Sequence, residues 1–155
     1  MNKLTTEQFT KLKGLMSNIK TEGYSKYTTI QGPNKKRLKT QFIPVSFENK
    51  ELVNFLCSIA KQDTLKVKNI HIVNYRPGEL INEHRDLSAL TLVIITEDNF
   101  EGGKLVVNDT VVDNFKSNGD YLIFNGAKNP HKVTEITEGF RQTISVFFDE
   151  KISVI

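Results

Sequence analysis

The chain has 155 residues, 25% of them charged and 38% hydrophobic, with a formal net charge of +3. That length suits one domain with a real core, and no apolar run approaches the roughly 20 residues needed to span a bilayer. A single cysteine, Cys57, excludes an intrachain disulfide, and the opening Met1-Asn2-Lys3-Leu4-Thr5-Thr6 lacks the apolar stretch of a signal peptide, so a reducing, cytoplasmic (intracellular) compartment is expected, with no membrane partner.

The charge is unevenly spread. Residues 1–69 carry 13 Lys/Arg against 5 Asp/Glu, whereas residues 70–155 carry 8 against 13. The basic part peaks at Lys35-Lys36-Arg37-Leu38-Lys39. Such a patch can hold an anionic partner, nucleic acid included. No aromatic-interleaved RNA motif or helix-turn-helix pattern accompanies it, so a solvated loop is the preferred reading of Lys35–Lys39.

Thr5-Thr6-Glu7-Gln8 offers a capping box, with Phe9, Leu12, Leu15, Met16 and Ile19 following at helical spacing. Gly23 is the expected end of that helix. Gly32-Pro33-Asn34 reads as a turn and Lys39–Val45 as extended chain. A second helix is expected from Ser46 to about Lys61, with Leu52, Val53, Leu56, Ile59 and Ala60 on its apolar face and Cys57 beside them as a small buried thiol.

From residue 65 the pattern turns to strands. Val67–Tyr75, Leu90–Thr96, Lys104–Val107, Thr110–Val112, Tyr121–Phe124, His131–Ile136 and Gln142–Phe148 are short and rich in β-branched or aromatic residues. Pro77-Gly78, Gly102-Gly103, Asn108-Asp109, Asn118-Gly119 and Gly139 punctuate them, Asn108-Asp109 as a tight hairpin. Glu79–Glu83 is a weaker extended segment. About eight strands without an intervening helix favour a sandwich or jelly roll, with the two helices covering one sheet. The expected class is mainly β with N-terminal helices (α+β).

Four residues carry the chemistry. His84 and Asp86 are two apart, so on extended chain both point to one side while Arg85 points away. His131 must come from another strand, brought near across the mouth of the barrel. Two imidazoles and one carboxylate form the facial set that suits non-haem Fe(II) and leaves positions open. Arg141, ten residues after His131, can grip a carboxylate bidentately, and Thr143 shares its side of the strand. His71, within a strand, reads as a structural histidine.

The stretch from about Tyr75 to Asp149 resembles the catalytic core of the Fe(II)/2-oxoglutarate-dependent dioxygenases of the prolyl 4-hydroxylase type. The resemblance rests on Tyr75-Arg76-Pro77-Gly78 ahead of His84-Arg85-Asp86, on Phe100-Glu101-Gly102-Gly103-Lys104-Leu105, on Gly119-Asp120-Tyr121-Leu122-Ile123-Phe124, and on Asn129-Pro130-His131-Lys132-Val133 with Arg141 after it. It implies a double-stranded β-helix (jelly roll) core over 65–150, supported by a helical and extended region, 1–64, in a single domain, 1–155. It implies iron on His84, Asp86 and His131, and 2-oxoglutarate with its distal carboxylate on Arg141. Dioxygen would be the co-reactant and ascorbate a candidate reductant. The products would be succinate, carbon dioxide and a hydroxylated C–H bond.

Two departures bear on this. The oxygen-sensing prolyl hydroxylases carry a cosubstrate-binding tyrosine on the strand after His-x-Asp, whereas Thr91-Leu92-Val93-Ile94-Ile95 has none, leaving Tyr75, Thr91 or Thr143 to supply a hydroxyl. The nucleic-acid demethylases carry a second arginine six residues after the anchor, where this chain has Phe147. The expected activity is therefore hydroxylation of a protein or peptide residue such as proline. A free amino acid, another small molecule or nucleic acid stands as an alternative substrate. A non-catalytic metal-binding jelly-roll module is the alternative of another class. Lys35–Lys39, Leu87–Ala89, Arg76, Arg85 and Asn82 are candidate rim elements.

Overall fold

A computed structural model describes residues 2–19, 25–29 and 37–149, with the backbone alone for 25–29, 37 and 38. Two helices, α1 (Thr6–Ser17) and α2 (Lys50–Ala60), accompany twelve strands among these residues. Two strands precede α2: β1 (Ser25–Thr29) and β2 (Arg37–Phe42). After it come β3 (Val67–Tyr75), β4 (Ile81–His84), β5 (Leu90–Glu97), β6 (Phe100–Gly102), β7 (Leu105–Val107) and β8 (Thr110–Val111). The chain continues through β9 (Tyr121–Phe124), β10 (His131–Val133), β11 (Ile136–Gly139) and β12 (Arg141–Phe148).

All pairings are antiparallel. A six-stranded sheet has the order β1-β2-β3-β12-β5-β9, and a four-stranded sheet the order β4-β10-β7-β8. Strands β6 and β11 form a separate ribbon. The two larger sheets enclose a core as the two walls of a jelly roll. Strands alternate between faces, and the large sheet uses both. Ile70, Ile72, Leu92, Ile94, Ile144, Val146 and Phe148 turn outward and are buried against α1 and α2. Leu12, Leu52 and Leu56 complete that layer, each at most 2% exposed and each stabilising by about 1.5–3 kcal/mol through removal from water. The inward face carries the site.

Helix α1 starts as its sequence predicts. The Thr5 hydroxyl accepts from the Gln8 N–H at 3.1 Å, and Gln8 Oε1 accepts from the Thr5 N–H at 2.8 Å. It ends at Ser17 rather than at Gly23, because Ser17 and Asn18 side chains take the Gly14 carbonyl and Asn18 closes the last turn. The second helix begins later than Ser46: Phe47–Asn49 is a 3-10 turn leading into α2, which closes on Lys61 in the left-handed region. Gly23 and the Gly32-Pro33-Asn34 turn lie outside the described residues.

Among the strands, Val67–Tyr75 and Tyr121–Phe124 match the expectation to the residue. Asn108 and Asp109 both have positive φ, 50° and 63°, as a tight two-residue hairpin of this hand requires. One expectation is corrected, and two strands are added. His131–Ile136 is not one strand: β10 stops at Val133, and β11 leaves to pair with β6. The Phe100–Gly102 stretch is itself a strand, and Ser25–Thr29 pairs with β2 at the edge of the large sheet. Through β1 and β2, the N-terminal part shares that sheet with β3.

Candidate metal centre and cosubstrate cavity

His84 closes β4 and His131 opens β10, and they are directly paired across the small sheet. The expectation that they meet across the barrel mouth is therefore corrected to a cross-strand pair within one wall. Their rings lie 4.3 Å apart between centroids. Asp86 sits just past the end of β4, where its N–H donates to the Gly126 carbonyl at 2.9 Å. Its Oδ1 lies 3.4 Å from His84 Nε2 and 3.3 Å from His131 Nε2. One ligand atom from each of the three residues falls within 4.8 Å of the other two. Arg85 is exposed, as its place between the two predicts.

Hydrogen bonds fix which nitrogen faces the centre. His84 Nδ1 lies 2.8 Å from the Asn82 carbonyl, and His131 Nδ1 lies 2.8 Å from the Asn129 carbonyl. A carbonyl only accepts, so each Nδ1 carries the hydrogen and each Nε2 presents a lone pair. This is how metal-binding imidazoles are oriented from behind. The edge of Phe124 against His131, centroids 4.9 Å apart, restrains the second ring further. Asn108, at the β7–β8 hairpin, braces the loop before His131 through its side chain on Asn129 Oδ1 and its N–H on the Pro130 carbonyl.

The carboxylate is held as firmly. The Thr91 hydroxyl donates to Asp86 Oδ2 at 2.8 Å. Burial alone would raise the Asp86 pKa. His131 and His84, which donate from Nε2 to the carboxylate when protonated, and the Thr91 hydroxyl outweigh it and keep the carboxyl well below the usual range. The same contact with Asp86 raises the His84 pKa, with burial opposing. Gly126 leaves the space: a Cβ there would lie 2.7 Å from Asp86 Cγ. Neither Gly126 nor the Thr91–Asp86 bond was foreseen, because the positions approach only through folding. Thr91 thereby gives its hydrogen to Asp86, leaving Tyr75 and Thr143 as the hydroxyls at the other end of the cavity.

That cavity, about 190 Å³, is shared by His84, Asp86 and His131 and by Arg141, Thr143 and Tyr75. Arg141 opens β12 opposite Tyr75 of β3. It is 1% exposed, its Nε has no hydrogen-bond partner, and no carboxylate among the described residues pairs with it. The guanidinium lies over the rings of Tyr75, Phe100 and Phe115, 4.6, 5.7 and 5.9 Å from their centroids. Burial lowers the Arg141 pKa, while the electrostatic influence of the neighbouring Tyr75 opposes this. Gly103 makes room for the stem: at φ +58°, a Cβ there would lie 3.0 Å from Arg141 Cδ. A buried cation without a counter-ion is costly. The cavity beside that cation leaves room for a small anion to pair with it.

Elsewhere, Cys57 is buried and burial pushes its thiol up to about 11, which makes it inert at neutral pH. Lys35 and Lys36 lie outside the described residues, while Lys39 is exposed on β2. No helix among the described residues is long and apolar enough to cross a membrane.

No protein-family model matches the sequence, and no curated protein does. Solved structures share the fold. An oxidoreductase of the 2OG-Fe(II) oxygenase family from Burkholderia pseudomallei superposes with a TM-score of 0.68 at 12% identity, covering 94% of this chain and 80% of that one. A prolyl hydroxylase from Trichoplax adhaerens, in complex with a hypoxia inducible factor peptide fragment, gives 0.63 at 18% identity, over 99% and 85%. A predicted oxalate decarboxylase from Thermotoga maritima gives 0.57 at 12% identity, over 85% and 98%. Identities this low establish the jelly roll, and one fold serves different chemistries.

Proposed function

We propose that this chain is an Fe(II)- and 2-oxoglutarate-dependent oxygenase that hydroxylates a C–H bond of a protein or peptide residue, such as proline. The observation that carries the reading is one cavity with two different unmet demands. At one end, two Nε2 lone pairs and an ionised carboxylate converge; at the other, Arg141 is buried without a counter-ion. The donor set fits Fe(II) held by His84, Asp86 and His131. A dicarboxylate that reaches from the metal to Arg141 meets both demands, and a cavity of about 190 Å³ suits a cosubstrate smaller than drug-sized ligands.

When bound, iron with 2-oxoglutarate and dioxygen supplies the oxidising power for an unactivated C–H bond, and releases succinate and carbon dioxide. The chain's own residues orient and exclude. Asn82 and Asn129 carbonyls set the imidazole tautomers, and Thr91 and Gly126 hold the Asp86 carboxylate in place. Arg141, with Thr143 and Tyr75 beside it, would anchor the distal carboxylate by charge and by hydroxyl hydrogen bonds. The apolar walls Val93, Leu105, Phe115 and Val133 keep water from the space between. The named activity of the Burkholderia protein and the bound peptide of the Trichoplax protein support this reading of the same fold.

The test is succinate formation from 2-oxoglutarate with Fe(II), dioxygen and ascorbate, read with +16 Da products over a peptide panel. Turnover that vanishes in His84→Ala and Asp86→Ala is expected. Metal binding without 2-oxoglutarate affinity or turnover would instead leave a metal-binding jelly-roll module.

A further inference from the structure

The inward face of the large sheet is a ladder of cross-strand rungs. Tyr75 and Arg141 form one end. Next come Thr40, Val73, Thr143 and Ile95, then Phe42, His71, Ser145 and Val93. The far rung, Phe147, Thr91 and Phe124, lies beneath the metal-facing residues, since Thr91 bonds Asp86 and Phe124 packs on His131. A cosubstrate that links the metal to Arg141 therefore runs over β5 and β12. His71 lies on β3, two strand spacings or about 10 Å from β5, and so flanks that track.

Packing on two aromatic rings leaves one polar atom of His71 without a partner. Its ring lines the cavity, and its Nε2 is buried with no hydrogen-bond partner. Phe42 meets it edge-on at 4.5 Å between centroids, and Phe147 lies at 5.1 Å. Its register partner Ser145 lines the same cavity. Burial, partly offset by Asp86, lowers its pKa to about 4, so at neutral pH the ring is uncharged and offers one donor and one acceptor. Asp86 and Arg141 supply the cavity's other charges, and both have assigned partners in the proposed function. Among the described residues, no charged side chain of β2 or β3 lines the cavity.

Resting on that proposed function, we infer that His71, packed on Phe42 and flanked in the cavity by Phe147, is the specificity-determining residue for the oxidised substrate: its imidazole hydrogen-bonds a peptide group of an uncharged, apolar residue, a prolyl residue fitting against Phe147. The reading of His71 as purely structural is thereby replaced.

The chain has three histidines, which makes imidazole NMR selective. The full chain is loaded with Zn(II), as an inert stand-in for iron, and 2-oxoglutarate, then titrated with the capped peptide acetyl-Gly-Pro-Gly-amide. The His71 ring signals are expected to shift saturably. His71→Phe is expected to weaken the peptide by about tenfold, while His71→Gln, which keeps a donor and an acceptor, stays within about threefold. The 2-oxoglutarate affinity is expected to hold within about twofold in both variants. His71 signals unmoved by the peptide, or a His71→Phe loss that falls on 2-oxoglutarate instead, would overturn the assignment. Failure of 2-oxoglutarate to bind the wild-type chain counts against the proposed function alone. The peptide titration, repeated without metal and cosubstrate, then decides the subsite by the same two criteria.

Discussion

His84 and His131 face each other across β4 and β10, and each donates its Nδ1 hydrogen to the carbonyl two residues behind it, Asn82 and Asn129. Both Nε2 atoms thus converge on one oxygen of Asp86. A divalent metal would supply to Asp86 and both imidazoles the positive charge that protons on Nε2 otherwise supply, so it should stabilise the fold. A rise in thermal midpoint with Fe(II) or Zn(II) is expected for the wild type and its loss for Asp86→Ala. Thr91→Val, which removes only the hydrogen bond to Oδ2, should weaken metal binding by roughly 10–100-fold. Unchanged metal affinity in Thr91→Val would reject its positioning role.

Gly126 gives a sharper test of the same geometry. A Cβ there would lie 2.7 Å from Cγ and 2.9 Å from Cβ of Asp86. The carboxylate must move from its present place to admit it. Gly126→Ala is expected to fold, with far-ultraviolet circular dichroism like wild type, and to lose metal binding by a factor on the order of 100. Calorimetric titration reads the loss. Wild-type affinity would show that the close approach is not needed.

The sequence discloses the elements whose residues share one local pattern. Val67–Tyr75 and Tyr121–Phe124 are β-branched or aromatic runs with turn residues nearby, and the Thr5/Gln8 box needs no tertiary partner. Ser25–Thr29 escaped because Ser-Lys-Tyr-Thr-Thr has no apolar alternation, and only pairing with β2 makes it a strand. Phe100–Gly102 reads as a turn by its glycines, yet Gly102 takes φ +76° at a strand end against Glu135. In the site, residue types and order mark His84, Asp86, His131 and Arg141. Their support is hidden: Thr91 and Gly126 reach Asp86 from 5 and 40 positions away along the chain, and no spacing rule links them.

Arg141 sets stability against function. The guanidinium is 1% exposed and lacks a counter-ion among the described residues. Arg141→Met keeps most of the packing on Tyr75 and Phe115 and removes the unpaired charge. Replacing buried ion pairs by apolar residues of similar volume is often neutral or stabilising by about 1–4 kcal/mol, and an unpaired buried cation has no pairing to lose, so the metal-free chain should unfold at equal or higher denaturant. The same variant should lose 2-oxoglutarate affinity by more than about 100-fold, since a buried charge-assisted pair is removed. Metal affinity should stay at the wild-type value. A marked loss of stability with intact 2-oxoglutarate binding would reverse the assignment.

His71 gives the fold a pH dependence whose sign is set by its depressed pKa. Burial, partly offset by Asp86, lowers it from 6.5 to about 4 in the folded chain. Between those values the unfolded chain binds the proton and the folded chain does not. Stability is therefore complete above about 6.5, falls as pH drops toward about 4, and loses nothing more from this group below that. The full shift corresponds to about 3 kcal/mol. Urea unfolding of wild type and His71→Phe at about pH 7.5 and about pH 4.5 isolates this contribution, because every other ionisable group is common to both. The wild type should lose more stability between the two conditions than the variant, by a few kcal/mol at most. Equal losses would mean that His71 is protonated in the folded chain as readily as in the unfolded one.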